Sequence, residues 1–157
     1  MLFRSNADGG AALEMTAQGV SLRFDTPASF ALTGGDVEAS LDSQPLPMYQ
    51  TLHAPAGASL RIGRISAGFR TYLTVGGGLL LPKVLGSASS DTFANLGPAP
   101  LAAGMHLPIG PQAEAPGFYL RAPPRFGQTA RLRILPGPQE EWFTEGEIGR
   151  ASCRERV

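Results

Sequence analysis

Residues 60–110 read LRIGRISAGFRTYLTVGGGLLLPKVLGSASSDTFANLGPAPLAAGMHLPIG. Inside this stretch, Phe69 to Val75 sets Phe69, Thr71, Leu73 and Val75 against Arg70, Tyr72 and Thr74. Strict two-residue alternation is the signature of a half-buried strand. The strand stops at Gly76-Gly77-Gly78, where positive φ and close backbone approach become possible. A phosphate-cradling loop would need GxxxxGK[ST] or a helix opening after the glycines, and Leu79-Leu80-Leu81-Pro82 follows instead. The triple glycine is therefore expected at a sheet corner or bulge, with a ligand-facing turn as the other reading.

Outward from this stretch the strand pattern continues. Val20 to Phe24 alternates, Ser29 to Thr33 is a short apolar strand ending at Gly34-Gly35-Asp36, and Val37 to Leu41 alternates again before Asp42-Ser43. Thr51–Ala54 and Ser59–Ile62 flank Pro55-Ala56-Gly57, which reads as a hairpin connection. Arg131 to Leu135 alternates as well. Helix signals are few. Asp8 to Met15 reads as the tail of a helix, and Pro138 to Phe143 as a helix start that buries Trp142 and Phe143. Many short strands between turn signals predict a mainly β fold, a sandwich or barrel.

The chain has 157 residues, 20 of them glycine and 14 proline, and a formal net charge of zero. That balance offers no basic footprint for nucleic acid and none for an anionic membrane surface. No apolar run approaches the ~20 residues of a membrane span. The single cysteine, Cys153, excludes a disulfide framework or a CxxC metal site. It also lies in a suspect tail. Glu147–Val157, EIGRASCRERV, and Met1–Ser5, MLFRS, both resemble translated sequencing adapters, and are expected to be structureless additions.

Three groups of residues carry candidate chemistry. Arg70 and Tyr72 share one strand face, and arginine is the usual bidentate partner of a carboxylate. The same pair also suits a solvated strand face. Gly86, Ser87, Ser89 and Ser90, followed by Asp91, form the densest polar cluster. Hydroxyls and backbone N–H groups there can hold a carbonyl or carboxylate oxygen, or cap a short helix opening at Thr92. His53 and His106 sit at no metal-ligand spacing and read as satisfied structural histidines. Asp36 reads chiefly as a turn-forming acid. No GxSxG elbow is present.

The order Gly68, Arg70, Tyr72, Leu73, Val75, Gly77, Gly78, Pro82, Val84, Leu85, Gly86, Ser87, Ser89 and Ser90, then Leu101, Gly104, Leu107, Pro108, Ile109 and Gly110, resembles one family. It is the biotin-dependent carboxyltransferase-domain family of allophanate hydrolase subunit 2, the C-type subunit of 5-oxoprolinase, and urea amidolyase. LPGPQEEWF at 135–143 is similar to the start of that family's second half. Lys83 stands where members often carry proline.

The resemblance implies a cyclophilin-like β-barrel over 6–110, a linker at 111–117, and the start of a second small β subdomain over 118–146, truncated at both ends. It implies a hydrolase-type role as one partner in the ATP-dependent opening of 5-oxoproline to glutamate. Two alternatives are the carboxyltransferase part of a biotin-dependent urea carboxylase or urea amidolyase, and a non-catalytic regulator that binds a kinase inhibitor. The implied partners are two. One is a sister carboxyltransferase-type subunit, similar to the B-type subunit of 5-oxoprolinase or to allophanate hydrolase subunit 1. The other is a lactam-utilisation subunit. ATP or carboxybiotin would serve the full complex, with no metal, no cofactor held by this segment and a cytoplasmic setting. The substrate-binding residues implied are Arg70, Tyr72, Gly86, Ser87, Ser89 and Ser90. No general base stands out.

Overall fold

The computed structural model describes residues 6, 10–16, 18–111, 122, 137–138, 140–142, 144 and 146. The expected terminal additions, the Arg131–Leu135 strand, and nearly all of the expected linker and second subdomain lie outside these residues. Two compact units are present, Met1–Phe126 and Gly127–Val157.

The first unit is an antiparallel β structure, in line with the mainly β expectation. Its strands are β1 (Leu13–Thr16), β2 (Val20–Arg23), β3 (Ala28–Leu41), β4 (Gln44–Leu46), β5 (Leu52–Ala54) and β6 (Ser59–Val75). They form one 6-stranded sheet in the order β1-β6-β3-β4, with β2 also on β6 and β5 also on β3. β6 and β3, at 17 and 14 residues, form the spine.

Each spine strand joins two strands that the sequence pattern separates. Gly34-Gly35-Asp36 reads as a turn in the sequence, yet β3 runs straight through it. The ladder survives by slipping register between Gly34 and Asp36, Asp36 and Val37, and Val37 and Ala39. Gly34 takes φ +102, and a Cβ on it would sit 2.3 Å from the Arg70 carbonyl oxygen. Glycine thus permits a bulge with close strand contact where the pattern suggests an ending. In β6, residues 61–69 show no buried side chain except Ile62, so apolar periodicity fades while backbone pairing continues.

Three further expectations are corrected. Leu13–Thr16 is a strand on β6, because Leu13 and Met15 face the core together with period two. The Pro55-Ala56-Gly57 turn does not close a hairpin. β5 pairs with Ala28–Phe30 of β3, while Ser59–Ile62 pairs with β2 and with the far end of β3. The actual tight hairpin joins β3 to β4 through Asp42 and Ser43, both at positive φ (48° and 69°), as a two-residue primed turn requires. β4 tolerates Pro45 because it is an edge strand.

The core lies on one face of the spine. Phe30, Leu32, Leu60, Ile62, Leu73 and Val75 are all buried there, with Met15 and Phe24. Phe24 and Phe30 stack with ring centroids 5.3 Å apart. β6 ends at the triple glycine, which is a backbone junction. Gly77 and Gly78 have positive φ, Gly110 N–H donates to the Gly78 carbonyl (2.9 Å), and Asn6 bridges Val75 O and Gly77 N–H. In the second unit, Glu140–Trp142 forms a single 3-10 turn and Trp142 is exposed at 74%. The expected burial of Trp142 does not occur.

Candidate functional site

The face of β6 opposite the core carries Arg70 and Tyr72. β1 lies beside it, with Glu14 in register with Tyr72 and Thr16 with Arg70. Diagonal neighbours in an antiparallel pair are within reach of long side chains. Glu14 Oε1 accordingly lies 2.9 Å from Arg70 Nε. The Arg70 guanidinium also stacks over the Phe69 ring, 4.4 Å from its centroid. The Tyr72 hydroxyl donates to the Glu14 carboxylate. That bond chiefly, then partial burial and the negative charge of Glu14, raises the Tyr72 pKa, against an opposing pull from Arg70. On the other flank, Thr33 of β3 is in register with Tyr72. Its buried Oγ1 has no hydrogen-bond partner among the described residues.

Chemically this is a cation gripped by one edge. Glu14 occupies Nε, and the described residues place no ion pair or hydrogen bond on the two Nη groups. The exposed setting limits the ion pair's own stabilisation to about 0–1 kcal/mol. Its effect is to orient the fork, which suits a carboxylate or carbonyl oxygen.

The Gly86–Ser90 loop stands apart from this cluster. Val84 and Ser87 exchange both backbone hydrogen bonds, at 2.8 and 3.0 Å, so Leu85 and Gly86 form a tight exposed tip at positive φ. Ser87 Oγ accepts from Ser89 N–H (3.1 Å), and Ser90 Oγ donates to the Pro98 carbonyl (2.6 Å). No described hydrogen bond or ion pair links the loop to Arg70 or Tyr72. The short helix expected after Ser90 is absent. Asp91 Oδ1 instead accepts from Phe93 and Ala94 N–H, at 2.9 and 3.0 Å, closing a turn.

The histidines are surface groups, against the expectation of satisfied structural ones. His53 Nδ1 is 2.9 Å from Ser29 Oγ across the β3–β5 pair. His106, 88% exposed, lies 3.6 Å from Asp25 Oδ2. It belongs to a loop that borders a cleft of about 1030 Å³, lined by Leu13, Val20, Leu22, Leu73, Val75 and the 101–109 segment. This cleft is not visible in the sequence, and it opens on the core side of β6, away from Arg70 and Tyr72. Glu14 is missed by sequence reasoning too. Reading Asp8–Met15 as helix hides the alternation that places Glu14 beside Tyr72. Among the described residues no cluster of His, Cys, Asp or Glu could hold a metal, and no helix is long and apolar enough to cross a membrane.

Comparison with known proteins fits this geometry to a family. The family described as carboxyltransferase domain, subdomain A and B, matches residues 3–154. The chain belongs to this family. It is similar to the C-type subunit of 5-oxoprolinase from Escherichia coli, 34% identical over 145 residues, covering 90% of this chain and 46% of that protein. It is also similar to urea amidolyase of Saccharomyces cerevisiae, 38% identical over 86 residues, covering 55% of this chain and 5% of that one. The chain thus spans less than half the length of these relatives. Among solved structures, TTHA0988 superposes with a TM-score of 0.79 at 32% identity, covering 88% of this chain and 53% of that one.

Proposed function

We propose that this chain belongs to the lactam branch of the family, acting as part of a C-type 5-oxoprolinase subunit in ATP-dependent opening of 5-oxoproline to glutamate. The observation that carries this reading is Arg70, held through Nε by Glu14 with its Nη fork open beside Tyr72. 5-Oxoproline brings a carboxylate to such a fork, whereas urea is neutral. The likeness to the C-type subunit of 5-oxoprolinase along 90% of the chain supports the same branch.

In this reading Arg70 and Tyr72 anchor the substrate, and the Gly86–Ser90 loop supplies hydroxyl and backbone donors from a second side. The catalytic base and the ATP site belong to the companions, a sister carboxyltransferase-type subunit and a lactam-utilisation subunit, in the cytoplasm. The urea-carboxylating branch is the second reading, favoured by the 38% identity to urea amidolyase.

The test uses the full-length protein assembled with its companions and assayed with both substrates. Arg70→Ala removes a charge-assisted hydrogen bond of about 1.5–3 kcal/mol. It should lower kcat/KM for 5-oxoproline by roughly ten- to a hundredfold with little change in melting temperature. Ser87→Ala should cost less. Turnover of urea instead of 5-oxoproline, or unchanged kinetics with lowered stability in Arg70→Ala, would refute the reading.

A further inference from the structure

Glu14 does more than hold Arg70. Its carboxylate takes the Arg70 Nε–H at 2.9 Å and also accepts the Tyr72 hydroxyl hydrogen. A phenol has one hydrogen to donate. Once that hydrogen is given to Glu14, the phenol oxygen meets a ligand only as an acceptor. The guanidinium, by contrast, has no acceptor at all and meets a ligand only as a donor. One carboxylate therefore fixes opposite hydrogen-bond polarities on two neighbouring groups of one strand face.

We propose that Glu14 is a positioning residue that sets ligand specificity: it presents Arg70 as the donor and Tyr72 as the acceptor to a small ligand whose anionic oxygen lies next to an N–H. This rests on the lactam reading above and sharpens it, because a cyclic amide carrying a carboxylate beside its ring N–H has that pairing. The register supports the assignment. Glu14 is directly opposite Tyr72, and Arg70 and Tyr72 are two residues apart on one face, about 7 Å along the strand. A ligand spanning a carboxylate and an adjacent amide N–H matches that scale. The raised pKa of Tyr72 agrees, since it keeps the phenol neutral and its hydrogen on Glu14.

The test uses the full-length protein in its complex, with 5-oxoproline as substrate and N-methyl-5-oxoproline as competitor. The wild-type complex should bind the N-methyl compound about tenfold more weakly, the loss expected for one hydrogen bond. Tyr72→Phe should close that gap. Glu14→Gln should raise KM for 5-oxoproline about five- to tenfold with kcat nearly kept, because the fork loses its anchor. In an Arg70→Ala background Glu14→Gln should add nothing further, whereas a purely structural role would add its cost in full. Glu14→Asp should recover part of the loss. If Arg70→Ala is impaired but Glu14→Gln shifts KM by less than twofold, or Tyr72→Phe leaves the N-methyl gap intact, the inference fails and the lactam reading stands. If Arg70→Ala is itself unimpaired, the lactam reading fails first.

Discussion

Gly77 and Gly110 approach each other so closely that neither can carry a side chain. A Cβ on Gly77 would lie 2.0 Å from the Gly110 carbonyl oxygen, and one on Gly110 would lie 2.4 Å from that of Gly77. Gly77 also holds φ at +84. Both contacts are with backbone, which cannot swing aside. Gly77→Ala should therefore cost at least roughly 2 kcal/mol. Gly57→Ala is the control. It shares the positive φ but meets nothing within 4 Å, so only the backbone term, about 1 kcal/mol, applies. Urea unfolding of both variants checks the difference.

Tyr49 locks the β3 bulge. Its hydroxyl accepts from Gly34 N–H at 3.1 Å and donates to the Gly34 carbonyl. Tyr49→Phe leaves both backbone groups without their partner, in a part-buried setting. The expected loss is about 1–3 kcal/mol, read as a lower urea midpoint. A loss below about 0.5 kcal/mol would show that water replaces the phenol at the bulge.

These two sites mark the limit of what the sequence makes legible. Alternation reveals where strands lie, and it places β2, β5 and both halves of β3 and β6 close to their positions. It does not reveal that the halves are continuous, because a glycine bulge and a glycine turn are written with the same residues. Which one forms depends on whether a partner strand arrives, here Arg70–Thr71 of β6 against Gly34. The Arg70–Tyr72 pair is legible from its spacing. Its third member, Glu14, is not, since cross-strand register is a tertiary fact. The cleft beside the 101–109 segment is invisible for the same reason.

Thr33 offers a test with the opposite sign. Its Oγ1 is buried and lacks a hydrogen-bond partner among the described residues. Burying an unsatisfied hydroxyl costs about 1–3 kcal/mol. Valine keeps the branched shape and suits a strand. Thr33→Val should thus be neutral or stabilising by up to about 1 kcal/mol. A clear loss on Thr33→Val in a denaturant series would reveal a partner for this hydroxyl.

The last prediction concerns alkaline pH. Tyr72 has a raised pKa, first through its bond to Glu14, then through burial and the charge of Glu14. Tyr49 is raised too, first by burial, with its Gly34 bond opposing and Asp36 adding. An unfolded tyrosine loses its proton near pH 10. Above that point the unfolded chain binds fewer protons than the folded one, so unfolding stability falls as pH rises. The contribution is complete below pH 10 and is lost as pH passes through the raised folded values. Glu14→Gln removes the charge that raises Tyr72, leaving the Arg70 pull toward a lower pKa. The alkaline fall in stability should therefore be shallower in Glu14→Gln than in wild type. Tyr49→Phe should make it shallower independently, and the double variant should show both changes. Unfolding free energies from urea titrations between about pH 8 and 11, with phenolate absorbance followed in parallel, provide the measurement. An alkaline slope that Glu14→Gln leaves unchanged would mean that Glu14 does not govern the Tyr72 proton.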